Sequence, residues 1–203
     1  METHINNFVF DFGKVLVEFN PHLLYDSVFG GDIEKAEWFS RNITPPDFYD
    51  RIDRGDDFEQ CIRDLQALHP EYADEIALYD SHYHDMVGNE MAGMPELLSD
   101  LKAHGYSLYG LTNWSYKVYH VMEKYPIFRL LTGSVISSEE HLVKPDPRIY
   151  QCLLDRFNLK ADECLFVDDK KTNVDAAIAC GMHALIFTDS NKLRMDLQQM
   201  GII

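Results

Sequence analysis

The sequence predicts an α/β protein, a doubly wound parallel sheet carrying an inserted helical cap, and three observations lead there. Short runs rich in β-branched and aromatic residues recur at Ile5 to Asp11, Ser107 to Leu111, Ser134 to Ser137, Cys164 to Val167 and Ala184 to Phe187. Helix-like stretches separate these runs, and strands that alternate with helices argue for a parallel sheet covered on both faces. From Asn20 to about Gly93 the alternation stops: no strand-like run survives, and helical patterns dominate.

Taken in order, the first run (INNFVFD) ends at Asp11, and the helical insertion follows almost at once. Within it, Phe58 to Leu68 and Tyr72 to Met86 read as helices. The predicted organisation is a core made of 1–19 and 94–203 with a cap at 20–93. The aromatic residues Trp38, Phe39, Phe48 and Tyr49 are expected to build the insertion's own small core, with room for one or two to face a ligand. Met86, Met91 and Met94 read as packing residues near a hinge that Gly88 and Gly93 would let move. His82 and His84 stand two apart on a predicted helix and so point to different sides, which suits surface residues better than a metal pair. In the core, Pro95 to Ala103 starts with proline at a first helical position and stops before His104-Gly105. Pro147 to Phe157 and Asn173 to Cys180 repeat the scheme.

Composition narrows the classes of function. The chain has 203 residues, 46% of them hydrophobic and 12% aromatic, enough for a substantial core. Its formal charge of −16 repels nucleic acid backbones and anionic lipid surfaces, and no basic cluster offsets it. No apolar run approaches the roughly 20 residues of a membrane span. Cys61, Cys152, Cys164 and Cys180 show no CxxC spacing and read as reduced structural thiols. A chain of the cytoplasm without a targeting segment is expected, with neither nucleic acid nor membrane as partner; its oligomeric state is not readable.

In open α/β sheets, ligands bind outside the carboxyl ends of the strands, so residues that follow strand runs carry the chemistry. Those residues are Asp11, Thr112-Asn113, Lys144 in the VKPDP turn, and Asp168-Asp169. A carboxylate can attack phosphorus and hold the phosphoryl group covalently, which divides one hard displacement into two. Two converging carboxylates need a cation between them, and Mg²⁺ suits few carboxylates plus waters and phosphate oxygens; Asp11 and Asp169 can supply them. The Thr112 hydroxyl, the Asn113 amide and the Lys144 ammonium would hold non-bridging oxygens, aided by backbone N–H groups at helix starts. Each piece alone has an ordinary structural explanation as a turn residue, helix cap or loop lysine. Their joint order on successive strand ends points to phosphoryl transfer.

The segments FDFGKVLVEF (10–19), LYGLTNWS (108–115), VKPDPRIY (143–150) and LFVDDKKTNVDAAIACGM (165–182) resemble the four motifs of the haloacid dehalogenase superfamily, in the right order across the whole core. The insertion resembles the helical cap of that superfamily's first subgroup, seated on a Rossmann-like core. The chain looks most like sugar-phosphate phosphatases whose first motif reads D-x-G, such as α-D-glucose-1-phosphate phosphatases. The resemblance implies a phosphatase of small phosphorylated metabolites that uses Mg²⁺ and an aspartyl-phosphate intermediate. It makes Asp11 the nucleophile and a metal ligand, and Thr112 and Lys144 the phosphate holders. Asp169 would coordinate Mg²⁺, and Asp168 would support it directly or through water. The Gly13 carbonyl would be a further ligand, Asn113 an added contact, and Asn173 would orient the acidic loop.

One departure from the pattern has chemical weight. Most phosphatases of this superfamily carry a second Asp two residues after the nucleophile as general acid and base, and this chain has Gly13 there. General acid–base catalysis is worth about 10²- to 10⁴-fold, so a slower enzyme acting on leaving groups that need little protonation is expected. Lys14, Glu18 or a cap residue such as His22 could stand in, and the sequence does not select among them. Two rival readings stay open: a non-catalytic module that binds phosphate, and a dehalogenase, whose metal-free chemistry would leave Asp168-Asp169 without a purpose. A receiver domain would be far shorter, with its acidic pair at the first strand. No GxxxxGK[ST] or GxGxxG occurs.

Overall fold

A computed structural model describes residues 4–203. β1 (Asn7–Phe10) and β2 (Val17–Phe19) open the chain. A block of helices follows: α1 (His22–Val28), α2 (Ile33–Asn42), α3 (Pro46–Asp53), α4 (Phe58–Leu68) and α5 (Ala73–Ser81). β3 (Val87–Glu90) then returns the chain to α6 (Met94–Ala103), β4 (Ser107–Thr112), α7 (Val118–Lys124), β5 (Gly133–Ile136) and α8 (Ser137–Glu140). The last elements are α9 (Pro147–Phe157), β6 (Cys164–Asp168), α10 (Lys171–Ala179), β7 (His183–Ile186) and α11 (Ser190–Gln199).

Five strands form one parallel sheet in the order β5-β4-β1-β6-β7. β1 lies at the centre, and all four of its residues are buried. Its side chains alternate between the two faces: Phe8 and Phe10 join one hydrophobic cluster and Val9 the other. This is why the first run reads as nearly continuous apolar sequence, as a strand covered on both faces must. The chain leaves β1 toward β4 on one side and β6 on the other, which makes the carboxyl end of β1 a topological switch point.

The expectation that no strand lies between 20 and 93 is corrected by β3, which pairs antiparallel with β2 through Val17↔Glu90 and Phe19↔Val87. Its sequence, VGNE, has little strand propensity of its own; the partner strand makes it extended. The long helix read from Tyr72 to Met86 is likewise α5 alone, flanked by 3₁₀ turns at Pro70–Tyr72 and Tyr83–Met86. Phe39 and Phe48 pack inside the helical block as anticipated, but Trp38 is 47% exposed, its ring against Tyr72. Asp32, Asp57, Asp146 and Asp189 each accept a backbone N–H at a helix start, contributing about 1 kcal/mol apiece.

Specific polar contacts hold the helical block on the sheet domain. The Ser137 hydroxyl donates to the Asp53 carbonyl at 2.6 Å and accepts from the Trp114 N–H at 2.9 Å. His141 Nδ1 lies 2.8 Å from the Arg54 carbonyl. Gly55 follows at φ +88°, where a Cβ would meet the Ser138 carbonyl at 2.3 Å, so only glycine lets the chain pass this close. Lys117 pairs with Asp80, and its ammonium lies 5.0 Å from the Phe58 ring centroid. All four cysteines are free, Cys61 and Cys164 buried. Among the described residues, no helix is long and apolar enough to cross a membrane.

Candidate active site

Where β1 ends, Asp11 takes the next place in the ladder by donating its N–H to the Val167 carbonyl at 3.0 Å. Its carboxylate turns back and accepts the Phe12 N–H at 2.7 Å. β6 ends beside it in Asp168, and Asp169 follows. One carboxylate oxygen from each of Asp11, Asp168 and Asp169 can be chosen so that all three lie within 4.8 Å of one another. Residues more than 150 positions apart therefore converge at one sheet edge.

Lys144 is the cation beneath this acidic group. Its ammonium lies 2.9 Å from Asp11 Oδ1 and 2.7 Å from Asp168 Oδ2, and it donates to the Leu111 carbonyl at 2.8 Å. An ammonium has three N–H donors, so all are engaged. The two carboxylates outweigh burial and hold the Lys144 ammonium above its ordinary range, so it stays charged. Asn113 fixes it from behind: its side chain donates to the Lys144 carbonyl at 2.9 Å and accepts the Lys144 N–H at 2.8 Å. The amide that the sequence offers to phosphate is thus committed to the lysine's peptide.

The two adjacent acids differ. Asp168 is fully buried and accepts from Lys144, from the Lys170 N–H at 2.8 Å and from Asn173 Nδ2 at 3.0 Å on both oxygens. Asp169 is half-buried, lines the cleft, and makes no hydrogen bond or ion pair with its side chain among the described residues. Burial pushes the Asp11 carboxyl up to about 6 against the attraction of Lys144, with Asp168 adding to the rise. Three carboxylates against one ammonium leave two negative charges in a confined space. That excess is the donor chemistry a divalent cation satisfies, and Asp11 and Asp169 are the carboxylates with oxygens available to it. Thr112, at the end of β4, is 1% exposed and its hydroxyl has no partner among the described residues, an unsatisfied donor next to β1.

A cleft of about 400 Å³ opens over this edge, bounded by Asp11, Gly13, Lys144, Asp169 and Asn173 on the sheet side. Thr112 and Asp168 are not among its lining residues. Tyr49, Ile52, Asp53, Tyr79 and Tyr83 of the helical block form the opposite wall, with Phe19 and Trp114 between. A Cβ on Gly13 would meet Trp114 and Phe19 no closer than 3.6 Å, so the backbone does not demand glycine there. Lys14 adopts φ 64°, a left-handed conformation costing roughly 1–2 kcal/mol in a residue with a Cβ, and lies exposed at the cleft mouth. Sequence reading missed Asp53, Tyr79, Tyr83 and Lys170 as cleft residues. A helical pattern shows that a segment has a buried face, not which neighbour covers it.

Known proteins resemble this chain in sequence and in fold. The model of the haloacid dehalogenase-like hydrolase family matches residues 40–187. A sesquiterpene phosphatase of Aspergillus oryzae is 30% identical over 95% of this chain and 94% of its own length. A flavin mononucleotide hydrolase of Arabidopsis thaliana is 32% identical over 54% of this chain, an alignment that spans 45% of that protein. Among solved structures, the magnesium complex of a haloacid dehalogenase-family enzyme from Bacteroides thetaiotaomicron superposes with a TM-score of 0.73 at 17% identity, covering 94% of this chain and 99% of that one, a likeness of fold. The chain belongs to the haloacid dehalogenase-like hydrolase family.

Proposed function

We propose that this chain is a Mg²⁺-dependent phosphatase of small phosphorylated metabolites, working through an aspartyl phosphate on Asp11. The observation that carries the reading is the convergence of Asp11, Asp168 and Asp169 within 4.8 Å around the Lys144 ammonium. Asp11 attacks phosphorus, the bond to the leaving oxygen breaks, and water then releases phosphate from the acyl phosphate. Lys144 holds the attacking carboxylate in place and keeps a positive charge below the phosphoryl oxygens. Thr112, its hydroxyl unpartnered but buried behind the cleft lining, backs the phosphate position, and Asn113 holds Lys144 in place. Asp168 anchors Lys144 with Asn173's help, while Asp169 and the Gly13 carbonyl complete the metal ligands with Asp11. Mg²⁺, when bound, offsets the negative charge of the carboxylates and the phosphate.

In this reading residues 20–93 act as a cap over a core of 1–19 and 94–203, and the cap wall selects the substrate. Sugar phosphates are the class favoured by the D-x-G first motif. A second reading, phosphate esters of apolar or aromatic alcohols, is favoured by the rings of Tyr49, Tyr79, Tyr83 and Trp114 around the cleft and by the resemblance to a sesquiterpene phosphatase. The net charge of −16 argues against nucleic acid as a partner.

The test is phosphate release from a panel of sugar, flavin and prenyl phosphates, with and without Mg²⁺, on the wild type and Asp11→Asn. The expected outcome is Mg²⁺-dependent release that Asp11→Asn abolishes. Equal release by the two proteins rules out the phosphatase, and metal-independent action on a haloacid favours the dehalogenase.

A further inference from the structure

If the cleft is a phosphatase site, one role is unfilled: giving a proton to the departing oxygen and later taking one from water. Position 13 has no side chain to do this. Of the substitutes open on sequence grounds, His22 is turned away into a pair with Asp26 at 2.8 Å. Glu18 packs its carboxylate against Gly88, where a Cβ would stand 2.2 Å from it, and does not line the cleft. Lys14 reaches the mouth but is exposed.

The helical block offers a better-placed group. Asp53 ends α3, half-buried in the cap wall of the cleft that holds Asp11. Its carboxyl makes no hydrogen bond or ion pair among the described residues, while its own carbonyl is clamped to the core by the Ser137 hydroxyl at 2.6 Å. The backbone is thus anchored to the first residue of α8, which precedes the Lys144 loop, and the side chain is left unpaired at the cleft. Resting on the phosphatase reading, we propose that Asp53 is the catalytic general acid and base, supplied by the cap in place of the side chain that Gly13 lacks.

In the first step the Asp53 carboxyl proton passes to the bridging oxygen as the Asp11 carboxylate forms its bond to phosphorus, and the alcohol leaves neutral. In the second, the Asp53 carboxylate takes a proton from the water that attacks phosphorus, the bond to Asp11 breaks, and phosphate departs with Asp53 protonated again. The sum is ester plus water to alcohol plus phosphate. Burial pushes this carboxyl up to about 7, opposed by Lys170 and Lys144 and reinforced by Asp50 and Asp11, so both protonation states are accessible near neutral pH. The other ionisable groups of the cap wall suit the role less. Burial drives the Tyr79 and Tyr83 phenols far up, and Asp50 is exposed at the rim.

The experiment compares kcat/KM of the wild type and Asp53→Asn on alkyl phosphates and substituted phenyl phosphates of increasing leaving-group acidity, with Mg²⁺ present. The loss in Asp53→Asn is expected to be about 10²- to 10⁴-fold for alkyl phosphates and to shrink to about tenfold or less for p-nitrophenyl phosphate. The alkaline fall in the wild-type pH profile should vanish in the variant. A uniform loss across the series, as a merely structural residue would give, overturns the proposal, and so does an unchanged series. If wild type and Asp11→Asn release phosphate equally, the phosphatase reading itself fails, a result distinct from either.

Discussion

On the sheet side of the cleft, Lys144 gives its three N–H groups to Asp11, Asp168 and Leu111, whereas on the helical side Asp53 stands by Tyr49, Tyr79 and Tyr83 without a hydrogen-bond partner. The first arrangement holds charge by mutual pairing, so each member is needed to keep the others compensated. The second leaves one half-buried carboxyl unpaired in a largely aromatic wall, where pairing would have fixed its protonation state. The paired charges are therefore tied to folding as much as to chemistry, whereas on the helical side the Asp53 carboxyl can change while Ile52, Tyr79 and Tyr83 keep their places in the core.

The largest effect should come from breaking the paired wall. Lys144→Met leaves Asp11 and Asp168 buried against each other and is expected to cost roughly 3–5 kcal/mol in urea unfolding. Millimolar Mg²⁺ should recover part of that loss. A cost below about 1 kcal/mol would mean that the pairing contributes little.

The adjacent acids sharpen the contrast within that wall. Asp168→Asn weakens its bond to the Lys144 ammonium and should cost about 1.5–3 kcal/mol. Asp169→Asn, whose side chain has no protein partner, should leave stability within about 0.5 kcal/mol. It should weaken Mg²⁺ binding, measured by calorimetry, by 10-fold or more. Equal effects of the two substitutions on stability would erase the distinction.

How much of this the sequence discloses depends on where a residue lies. Strand ends are legible because a β-rich run has a definite last residue, and parallel topology sends all such ends to one edge; Asp11, Lys144 and Asp169 meet there. The core strands were legible for the same reason. β3 was not, because VGNE becomes a strand only by pairing with β2. The different surroundings of Asp168 and Asp169 escape sequence reading because they depend on which carboxylate faces Lys144 and Asn173. Asp53 was hidden more completely. It lies on a helix whose docking on Ser137 and His141 is set by contacts 84 and 87 positions apart in the chain.

The clasp between the walls should show smaller effects. Ser137→Ala removes the donor to the Asp53 carbonyl and the acceptor of the Trp114 N–H, an expected loss of about 1–2 kcal/mol. No change in stability would show that the block is held by its apolar contacts alone.

Asp53→Asn should act on stability in the opposite direction. Because burial favours the protonated carboxyl, the native state carries no penalty below its ordinary value of 3.8, an increasing one as pH rises, and the full one above about 7. With solvent reaching the group, removing that penalty should stabilise the variant by roughly 1–2 kcal/mol above pH 8 and leave it near wild type at pH 4. Thermal unfolding at the two pH values measures it. A variant less stable at high pH would show that the Asp53 carboxylate is compensated after all.

The most direct measurement of the central claim is to quench the enzyme during turnover of a ³²P-labelled substrate with Mg²⁺ and map the acid-stable, base-labile label. The expected result is an acyl phosphate on the peptide that contains Asp11, absent from Asp11→Asn. Label on another residue, or undiminished turnover by Asp11→Asn, would contradict the assignment of Asp11 as the group that receives the phosphoryl.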